Sequence, residues 1–398
     1  MNPVNNPYSP GAGTQPPELA GRDELREKVS IATQRIKLRK GSKSIIMVGL
    51  RGVGKTVLLD KMKSDAEQNG IYTIRIEAPE GRSLPSMLAP QLRQVLLKLS
   101  NVEQAKDLTK HALRALRGFM NAFKVTYGDY GAGFDIQPEP GLADNGDLEH
   151  DLQALLETIG EAAAAAQTAI VMFVDELQYV KEEELAALIT ALHRMAQKAL
   201  PVMLVGAGLP QLRGRMGNAK SYSERLFDFP VVDALSTIAA KQAIEKPATD
   251  EGVVIHQDAL DLIVQQTKGY PYFLQEWGKH TWDAASGSPI TIQDVRVAAQ
   301  TVIAALDESF FMVRFDRLTP LEKRYLRGMA TLGKGPQRSG DIAEQLGRTV
   351  QDLAPTRNSL INKKGMVWSP GHGDNEFTVP LFDEFMKRIM PDQASLDD

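Results

Sequence analysis

The chain of 398 residues is 43% hydrophobic and 24% charged, and its formal net charge is −4. This length predicts two or three domains, this composition is typical of soluble globular proteins, and the slight negative charge excludes wholesale polyanion binding but not a local basic face. The lack of cysteine excludes disulfides and thiolate zinc sites. Because there is neither a signal region nor an apolar run of the ~20 residues that span a bilayer, we expect a cytoplasmic protein outside membranes.

The first segment, residues 1–17, carries five prolines among Asn, Ser and Gly, and it predicts a disordered or loosely attached tail. Residues 19–40 then predict a helix, with Asp23 as a candidate cap and Gly41 at its end. The apolar run Ser44–Val48 is rich in β-branched residues and predicts a buried strand.

Directly after this strand, eight residues fit the pattern G-x-x-x-x-G-K-[ST] and precede a predicted helix over residues 57–62. They are Gly49, Leu50, Arg51, Gly52, Val53, Gly54, Lys55 and Thr56. Glycines let such a loop turn its N–H groups toward phosphate oxygens, and the positive end of the helix faces the same anion. Lys55 can reach the β- and γ-phosphates, and the Thr56 hydroxyl can ligate Mg²⁺. A chance match is the alternative, but the flanking strand and helix favour a site for ATP or ADP.

The next segments predict a strand over residues 71–77 and helices over residues 84–99 and 102–121. One face of the second helix carries Leu108, Ala112, Ala115 and Phe119. The opposite face carries Lys106, Lys110, Arg114 and Arg117. This basic stripe could contact nucleic acid, but a solvated helix face is the favoured interpretation. Alternation over residues 123–137 predicts a hairpin, and residues 148–166 predict an alanine-rich helix.

An apolar strand that ends in two acidic residues carries the other half of the predicted site. Residues 169–174 are apolar and lead into Asp175 and Glu176. Beside a phosphate loop, Asp175 can hold Mg²⁺, and Glu176 can orient and polarise the attacking water. Acidic residues also favour ordinary helix starts. The phosphate loop ~120 residues upstream favours the catalytic interpretation.

A helix over residues 181–198, a strand over residues 202–206 and a short strand at Val231 and Val232 continue the alternation of strands and helices. This order predicts an α/β fold, a P-loop NTPase core whose parallel sheet lies between helices and binds its ligand at the carboxyl ends of the strands. Residues 237–311 are helical without a clear strand and predict a separate α-helical lid.

The last segment has the order of a winged helix-turn-helix. Predicted helices over residues 320–330, 339–346 and 350–362 precede a predicted hairpin. Leu346 and Leu360 are the expected core residues. The candidates for DNA contact are Arg348, Thr349, Gln351, Arg357, Asn358, Lys363 and Lys364. Winged helices also serve as protein-contact or autoinhibitory modules, so both roles stay open.

In this order, the motifs resemble those of AAA+ ATPases of the origin-recognition and STAND types, over about residues 18–390. Residues 19–25 resemble the box that opens these ATPases, and residues 206–212 and the box around Arg225 continue the match. Gly269-Tyr270-Pro271 resembles their Gly-x-Pro motif. The resemblance implies ATP and Mg²⁺ as cofactors and an arginine finger at Arg225. The further nucleotide-binding residues that it implies are Gly21, Arg22 and Pro271.

The resemblance also implies a division into domains. The expected parts are a tail over residues 1–17, an ATPase core over 18–235, a lid over 236–312, a winged helix over 313–391 and an acidic tail over 392–398. The chain departs from motor-type AAA+ proteins because residues 206–208 lack a polar sensor and residues 268–280 lack a second-sensor arginine. These departures favour the STAND-like branch and slow hydrolysis. Arg213 and Arg215 compete with Arg225, which could instead be a structural ion-pair partner.

Two hypotheses for function follow. In the first, the chain is a slow ATPase switch: ATP draws the lid in through Pro271, changes how the winged helix meets DNA, and promotes a homo-oligomer in which Arg225 completes a neighbour's site. In the second, it is a nucleotide-controlled signalling or scaffold protein whose winged helix contacts an unknown protein partner. A small-molecule P-loop kinase is a weaker third hypothesis, since Glu176 and the winged helix both count against it.

Overall fold

A five-stranded parallel sheet forms the centre of the first half of the chain. The structure is a computed structural model that describes residues 1–11, 13–79, 81–125 and 136–391. The strands are β1 (Ser44–Val48), β2 (Tyr72–Glu77), β3 (Ile170–Asp175), β4 (Val202–Gly208) and β5 (Phe227–Asp228). Their order is β2-β3-β4-β1-β5, and every pairing is parallel. This confirms the predicted α/β fold of the P-loop NTPase class.

Helices cover both faces of the sheet, because its strands are apolar on both sides. One face packs against α1 (Asp23–Lys37) and α2 (Lys55–Gln68). The other face packs against a larger group of helices. These are α3 (Leu84–Leu99), α4 (Lys106–Ala122), α5 (Leu148–Ala165), α6 (Glu182–Gln197) and α7 (Leu212–Ala219), with the short α8 (Ser223–Leu226) beside β5.

The predicted elements of this core match the structure except in two places. The last strand lies at Phe227–Asp228, while Val231 forms only a single bridge to Val48. Leu108 is 38% exposed, whereas Ala112, Ala115 and Phe119 of α4 are buried as predicted. Lys106, Lys110 and Arg114 of the basic stripe are exposed and pair with nearby acids, as the solvated-face interpretation expects, whereas Arg117 is half-buried. The predicted hairpin falls largely on residues 126–135, and the acidic tail on residues 392–398; both lie outside the described residues.

The lid contains four helices, and the last of them is followed directly by further helical residues that lead to the winged helix. The four helices are α9 (Thr237–Asp250), α10 (Gln257–Thr267), α11 (Pro271–Ala284) and α12 (Ile292–Leu306). After α12, a π-helix (Asp307–Met312) and α13 (Val313–Phe315) follow without a gap. We call these two segments, residues 307–315, the connecting helix. The predicted boundary between the lid and the winged helix therefore lies within a helix.

The C-terminal part is a winged helix. Its elements are α14 (Pro320–Leu332), β6 (Gln337–Arg338), α15 (Ser339–Gln345), α16 (Val350–Asn362), β7 (Val367–Trp368), β8 (Asp374–Phe377) and α17 (Phe382–Ile389). The three strands form an antiparallel sheet in the order β6-β8-β7. The sequence did not predict β6 or α17. Phe382 and Phe385 of α17 pack on Phe311 of the connecting helix, so the winged helix and the lid share one core.

The N-terminal segment packs on the lid, although its composition predicted a loosely attached tail. Tyr8 is only 3% exposed, and its hydroxyl donates to the Ile244 carbonyl oxygen at 2.5 Å. The Asn6 amide donates to Asp283 of α11 at 2.9 Å. Space for the Tyr8 ring exists because residue 278 is glycine: a Cβ atom there would lie 2.7–2.9 Å from three ring atoms. One buried aromatic side chain thus anchors a segment that composition assigned to disorder.

Within the described residues, none of the helices is long and apolar enough to cross a membrane.

The contact between Tyr8 and Gly278 predicts that one substitution has opposite effects on the stability of the lid with and without the Tyr8 ring. Gly278→Ala should destabilise the lid of the parent protein, because overpacking against the Tyr8 ring costs ~1–3 kcal/mol. In a Tyr8→Ala background the same change should stabilise the lid by ~1 kcal/mol, since alanine is the better helix former and no ring is left to clash. Urea unfolding followed by the fluorescence of Trp277 and Trp282 measures both effects. Equal effects in the two backgrounds would show that Tyr8 does not occupy this space.

Candidate functional site

The loop between β1 and α2 has the conformation that its glycines allow. Gly52 and Gly54 have φ angles of 80° and 87°, in a region that other residues rarely adopt. Gly49 needs the absence of a side chain for another reason: a Cβ atom there would lie 2.0 Å from the Val232 carbonyl oxygen. The sequence pattern and the backbone geometry therefore agree at three positions of this loop.

The loop presents a row of free donors. The backbone N–H groups of residues 52–57 donate to no acceptor among the described residues. They lie at the N-terminus of α2, where the helix dipole favours an anion. Such a cradle fits the phosphates of a nucleotide, because phosphate oxygens accept hydrogen bonds from several amides at once. Val53, in the middle of this row, is fully buried and fixes the loop on the core beneath it.

Lys55 lies inside the loop and is bonded to it. Its Nζ atom donates to the carbonyl oxygens of Gly49, at 3.0 Å, and Leu50, at 2.8 Å. Burial lowers the pKa of Lys55 to about 8, although the nearby carboxylates of Glu176 and Asp175 oppose this shift. An added phosphate would favour the charged form and give this ammonium an anionic partner. The structure thus places Lys55 where the sequence pattern requires it.

Asp175 ends β3 beside the loop. Its side chain is buried, accepts from the Glu176 backbone N–H at 2.9 Å and pairs with Arg75 at 3.3 Å. Arg75 also pairs with Asp60 of α2 at 2.5 Å, so its guanidinium lies between two carboxylates. A buried aspartate beside a phosphate loop suits Mg²⁺, which prefers oxygen ligands and substrate phosphates. We expect Thr56 and Asp175 to hold that ion.

Glu176 directly follows the strand and adopts a left-handed backbone with φ of 53°, which is uncommon for a residue with a side chain. Its carboxylate accepts from the Gln178 amide and lies 4.0 Å from the Arg51 guanidinium. The side-chain amide oxygen (Oε1) of Gln178 accepts from the Leu209 backbone N–H at 3.1 Å, just beyond β4. Gln178 therefore connects the predicted catalytic base to the end of the strand that lacks a polar sensor residue.

Three further predicted contact residues join the loop to neighbouring parts. Arg22 donates to the carbonyl oxygens of Val53, at 3.2 Å, and Asp233, at 2.5 Å. Gly21 has a φ of 66° and packs on the lid, since a Cβ atom there would lie 2.8 Å from that of Ala239. Pro271 begins α11, and its neighbour Tyr272 donates its N–H to the Gly52 carbonyl oxygen at 3.2 Å. The lid thus contacts the loop directly.

The winged helix also contacts the loop, which the sequence did not predict. The Arg51 backbone N–H donates to the Thr378 carbonyl oxygen at 2.9 Å. Arg51 also donates from its guanidinium to the Tyr179 hydroxyl at 2.8 Å. Near this contact, burial and the charge of Asp233 raise the pKa of Glu376 in β8. The loop is therefore bonded to the core, the lid and the winged helix.

Arg225 lies away from the loop of its own chain. It precedes β5, and the first residue of β5, Phe227, pairs with Ser44 at the start of β1. The phosphate loop begins after Val48, about 13 Å further along that strand. The Arg225 side chain is exposed and forms no hydrogen bond or ion pair with any described residue. This placement excludes action on its own loop and leaves a role toward a neighbour as an expectation.

The two competing arginines differ from Arg225. Arg215 donates to the Val180 carbonyl oxygen at 2.9 Å and to that of Gln178, so its guanidinium is committed within its own chain. Arg213 lies over the ring of Phe229, with its guanidinium carbon 5.9 Å from the ring centre. Arg215 is therefore committed, whereas Arg213 is exposed like Arg225 but has the Phe229 ring beside it.

The candidate DNA contacts of the winged helix fall into two groups. Arg348, Thr349, Gln351 and Asn358 are exposed. Arg357 instead donates to Asn375 at 2.6 Å and to Ser369 at 2.9 Å, which fixes α16 to the wing. Lys363 and Lys364 line a cavity shared with the core. Arg357 was therefore misassigned, because alternation along a helix does not show which long side chain folds back onto its own domain.

Several residues that matter here were missed. Gln178 and Tyr272 adjoin motif residues, so their position in the sequence was a usable signal. Arg314 carried no such signal. It follows the π-helix and lies 4.2 Å from the centre of the Phe310 ring, and that ring stacks on Tyr272. Burial and the like charge of Arg51 lower the pKa of Arg314 to about 10.

Comparisons with known proteins agree with this geometry. Residues 18–205 match the family profile described as "AAA ATPase domain", and residues 308–386 match "Domain of unknown function (DUF8462)". The Walker-type ATPase PABY2304 of Pyrococcus abyssi is 14% identical with a TM-score of 0.59, over 94% of this chain and 97% of that chain. The Aeropyrum pernix ORC2 protein is 15% identical with a TM-score of 0.53, over 96% and 98%. No curated protein sequence matched. At these identities the structural likeness shows a shared fold.

The site predicts a specific defect for Glu176→Gln. The variant should bind ATP as the parent does, since the exchange keeps the shape of the side chain. It should hydrolyse ATP ~10²–10⁴-fold more slowly, because glutamine cannot take a proton from water. Phosphate release under single-turnover conditions measures the rate, and Glu183→Gln, the same exchange at an exposed position of α6, is the matched control. An unchanged rate in Glu176→Gln would assign water activation to another residue.

Proposed function

We propose that this chain, whose residues 18–205 match the AAA ATPase domain profile, is an ATPase that works as a switch: bound nucleotide sets the position of the winged helix, and with it self-assembly and DNA binding. The observation that carries this proposal is the hydrogen bond from the Arg51 N–H to the Thr378 carbonyl oxygen. It joins the winged helix to the loop that would bind phosphate. A ligand that changes the conformation of the loop therefore acts directly on the hydrogen bond that holds the winged helix against the loop.

The lid and the winged helix are suited to move as one body. Arg388 of α17 donates to Asp307 of the π-helix through two nitrogens, at 2.5 and 3.0 Å. Lys268, just after α10, pairs with Glu384 at 2.9 Å. Together with the aromatic core around Phe311, these contacts tie the winged helix to the lid. Displacement of the lid would carry the winged helix with it.

ATP would act on this body through both of its contacts with the loop. Phosphates would compete for Lys55, which here donates to loop carbonyls, and would engage the N–H groups near Gly52. The Gly52 carbonyl oxygen accepts from Tyr272 of the lid, so a change in the loop reaches α11. Mg²⁺ held by Thr56 and Asp175 would neutralise charge on the β- and γ-phosphates.

The winged helix would gain DNA-binding surface when it leaves the core. Arg348, Gln351 and Asn358 are exposed, and so is Lys363, but Lys363 and the half-buried Lys364 both line the cavity shared with the core. Separation would open the cavity side of these two cations, just after α16, to DNA. Because phosphate contacts supply much of the affinity for DNA, we expect the released form to bind DNA more tightly.

The DNA test compares two nucleotide states. With a non-hydrolysable ATP analogue the protein should bind a labelled duplex about tenfold more tightly than with ADP, a coupling in the usual range for two-state proteins. Binding should weaken steeply with salt. Arg348→Ala should weaken it, while Arg296→Ala, the same exchange at an exposed position of the lid, should not. Fluorescence anisotropy of the duplex gives these affinities.

A second function stays open because part of the basic surface of α16 is committed internally. Arg357 bonds to the wing, and Lys364 donates to the Arg317 carbonyl oxygen at 2.8 Å. In this alternative the protein is a nucleotide-controlled scaffold whose winged helix contacts protein. If neither nucleotide state binds the duplex at moderate salt, while nucleotide still changes the size of the assembly, the scaffold function is correct.

The exposed Arg225 leads us to include a neighbour's active site in the proposal. An arginine finger stabilises charge in the transition state and has little effect on binding of ATP. Arg225→Ala should therefore slow hydrolysis by ~10³-fold or less with unchanged ATP affinity. Arg213→Ala is the control, since it removes the same charge 12 positions earlier. Parental activity should rise more than linearly with protein concentration.

Mixing two inactive variants tests whether the arginine acts between subunits. Arg225→Ala keeps a good pocket and Glu176→Gln keeps a good arginine, so their mixture should regain part of the parental activity. If the mixture stays inactive and parental specific activity does not depend on concentration, Arg225 has a structural role and the protein works as a monomer.

A further inference from the structure

A large basic cavity lies where the core, the connecting helix and the winged helix meet. Its volume is about 1040 Å³. Seven basic side chains line it: three from the core, two from the connecting helix and the turn after it, and two from the end of α16. Glu182 is the single acidic side chain among the described lining residues. The overall charge of the chain is −4, so this concentration of positive charge is a local feature.

Four of the seven cations are held in place by neutral groups. Arg51 donates to the Tyr179 hydroxyl, Arg215 to the Val180 carbonyl oxygen and Lys364 to the Arg317 carbonyl oxygen. Arg314 lies over an aromatic ring. Among the described residues, carboxylates act on three of these four cations: that of Glu176 lies 4.0 Å from Arg51 and also acts on Arg314, and that of Glu182 acts on Arg215. Neutral partners orient the cations toward the cavity without cancelling their charge.

The side chains of the other three cations, Lys181, Arg317 and Lys363, form no hydrogen bond or ion pair with any described residue. They come from three different parts of the chain. Like charges brought together in this way repel one another unless an anion lies between them. The low pKa of Arg314, near 10, reflects burial and the like charge of Arg51, and it agrees with a site that has an excess of positive charge.

We propose that this cavity binds a small ligand of nucleotide size that carries several phosphate groups, at a site separate from the phosphate loop. The volume is at the upper end of the ~300–1,000 Å³ that small-ligand sites occupy. The lining amides of Gln211 and Asn362 can pair with a base or another polar group.

The cavity differs from the loop site in its residues. Lys55, Thr56, Arg22 and Pro271 are absent from its described lining. Arg51 belongs to both sites, through its backbone in the loop and its guanidinium in the cavity. A phosphorylated ligand would connect Lys181 of the core to Lys363 of the winged helix. Its binding therefore stabilises the arrangement in which the winged helix lies on the core.

The experiment uses tripolyphosphate as the probe and the full-length Lys55→Ala protein, in which the loop site is disabled. Isothermal titration calorimetry should detect tripolyphosphate binding to this protein. Adding Lys181→Glu and Lys363→Glu should weaken it at least about tenfold, since two attractive charges become repulsive. The control adds Lys43→Glu and Arg296→Glu, the same change of charge at exposed positions outside the cavity, and should bind as Lys55→Ala does.

Three further titrations cover the cases in which a variant does not fold and identify the source of the phosphates. Titration of parent protein saturated with ADP replaces the Lys55→Ala background if that variant does not fold, and Lys181→Glu alone replaces the double exchange. ATP in the Lys55→Ala background separates two sources of the phosphates: tighter binding than tripolyphosphate indicates a nucleotide, and equal binding indicates phosphates alone. The proposal is overturned if tripolyphosphate does not bind once the loop is blocked, or if the cavity and control exchanges weaken binding equally.

Discussion

Parallel pairing within one sheet is the constraint on which the rest of this structure depends. Val48 of β1 pairs with Gly208 of β4, and Val174 of β3 pairs with Gly206. These registers align the carboxyl ends of the strands, so the phosphate loop and Asp175 emerge side by side although they are far apart in sequence. A glycine follows β1 because the Val232 carbonyl oxygen approaches too closely for a side chain. The site is thus a consequence of strand register.

The sequence predicted this half of the molecule well because its signals are local. Ser44–Val48 and Leu84–Leu99 are found with the predicted bounds, since apolar runs and helical periodicity act within a few residues. The errors concern contacts between distant residues. The N-terminal segment is ordered because Tyr8 fits beside Gly278, and Arg357 turns toward Asn375 of the wing. Neither partner is visible in the local pattern, so composition predicted disorder in one case and DNA contact in the other.

The contact between the winged helix and the lid is stronger than the contact between the winged helix and the phosphate loop. The lid and the winged helix share buried aromatic residues and the double hydrogen bond between Arg388 and Asp307. Burial of a large apolar side chain contributes ~1.5–3 kcal/mol. By contrast, the loop meets the winged helix through one neutral main-chain bond, at Thr378, and such a bond has a net value of ~1 kcal/mol. The winged helix therefore leaves the loop more readily than it leaves the lid.

Electrostatic interactions determine whether the winged helix stays on the loop or separates from it. In the structure, the loop meets its own lysine with carbonyl oxygens, while the cavity next to it gathers cations that neutral groups hold in place. Lys55 has the carboxylates of Glu176 and Asp175 nearby, whereas the described lining of the cavity holds more cations than carboxylates, and an anion in either place would give the cations a further partner. The two sites differ in geometry. Phosphate at the loop would disturb the hydrogen bond between the loop and the winged helix, whereas phosphate in the cavity would bridge the winged helix to the core. Since Arg51 belongs to both, ligands at the two sites affect each other through one residue.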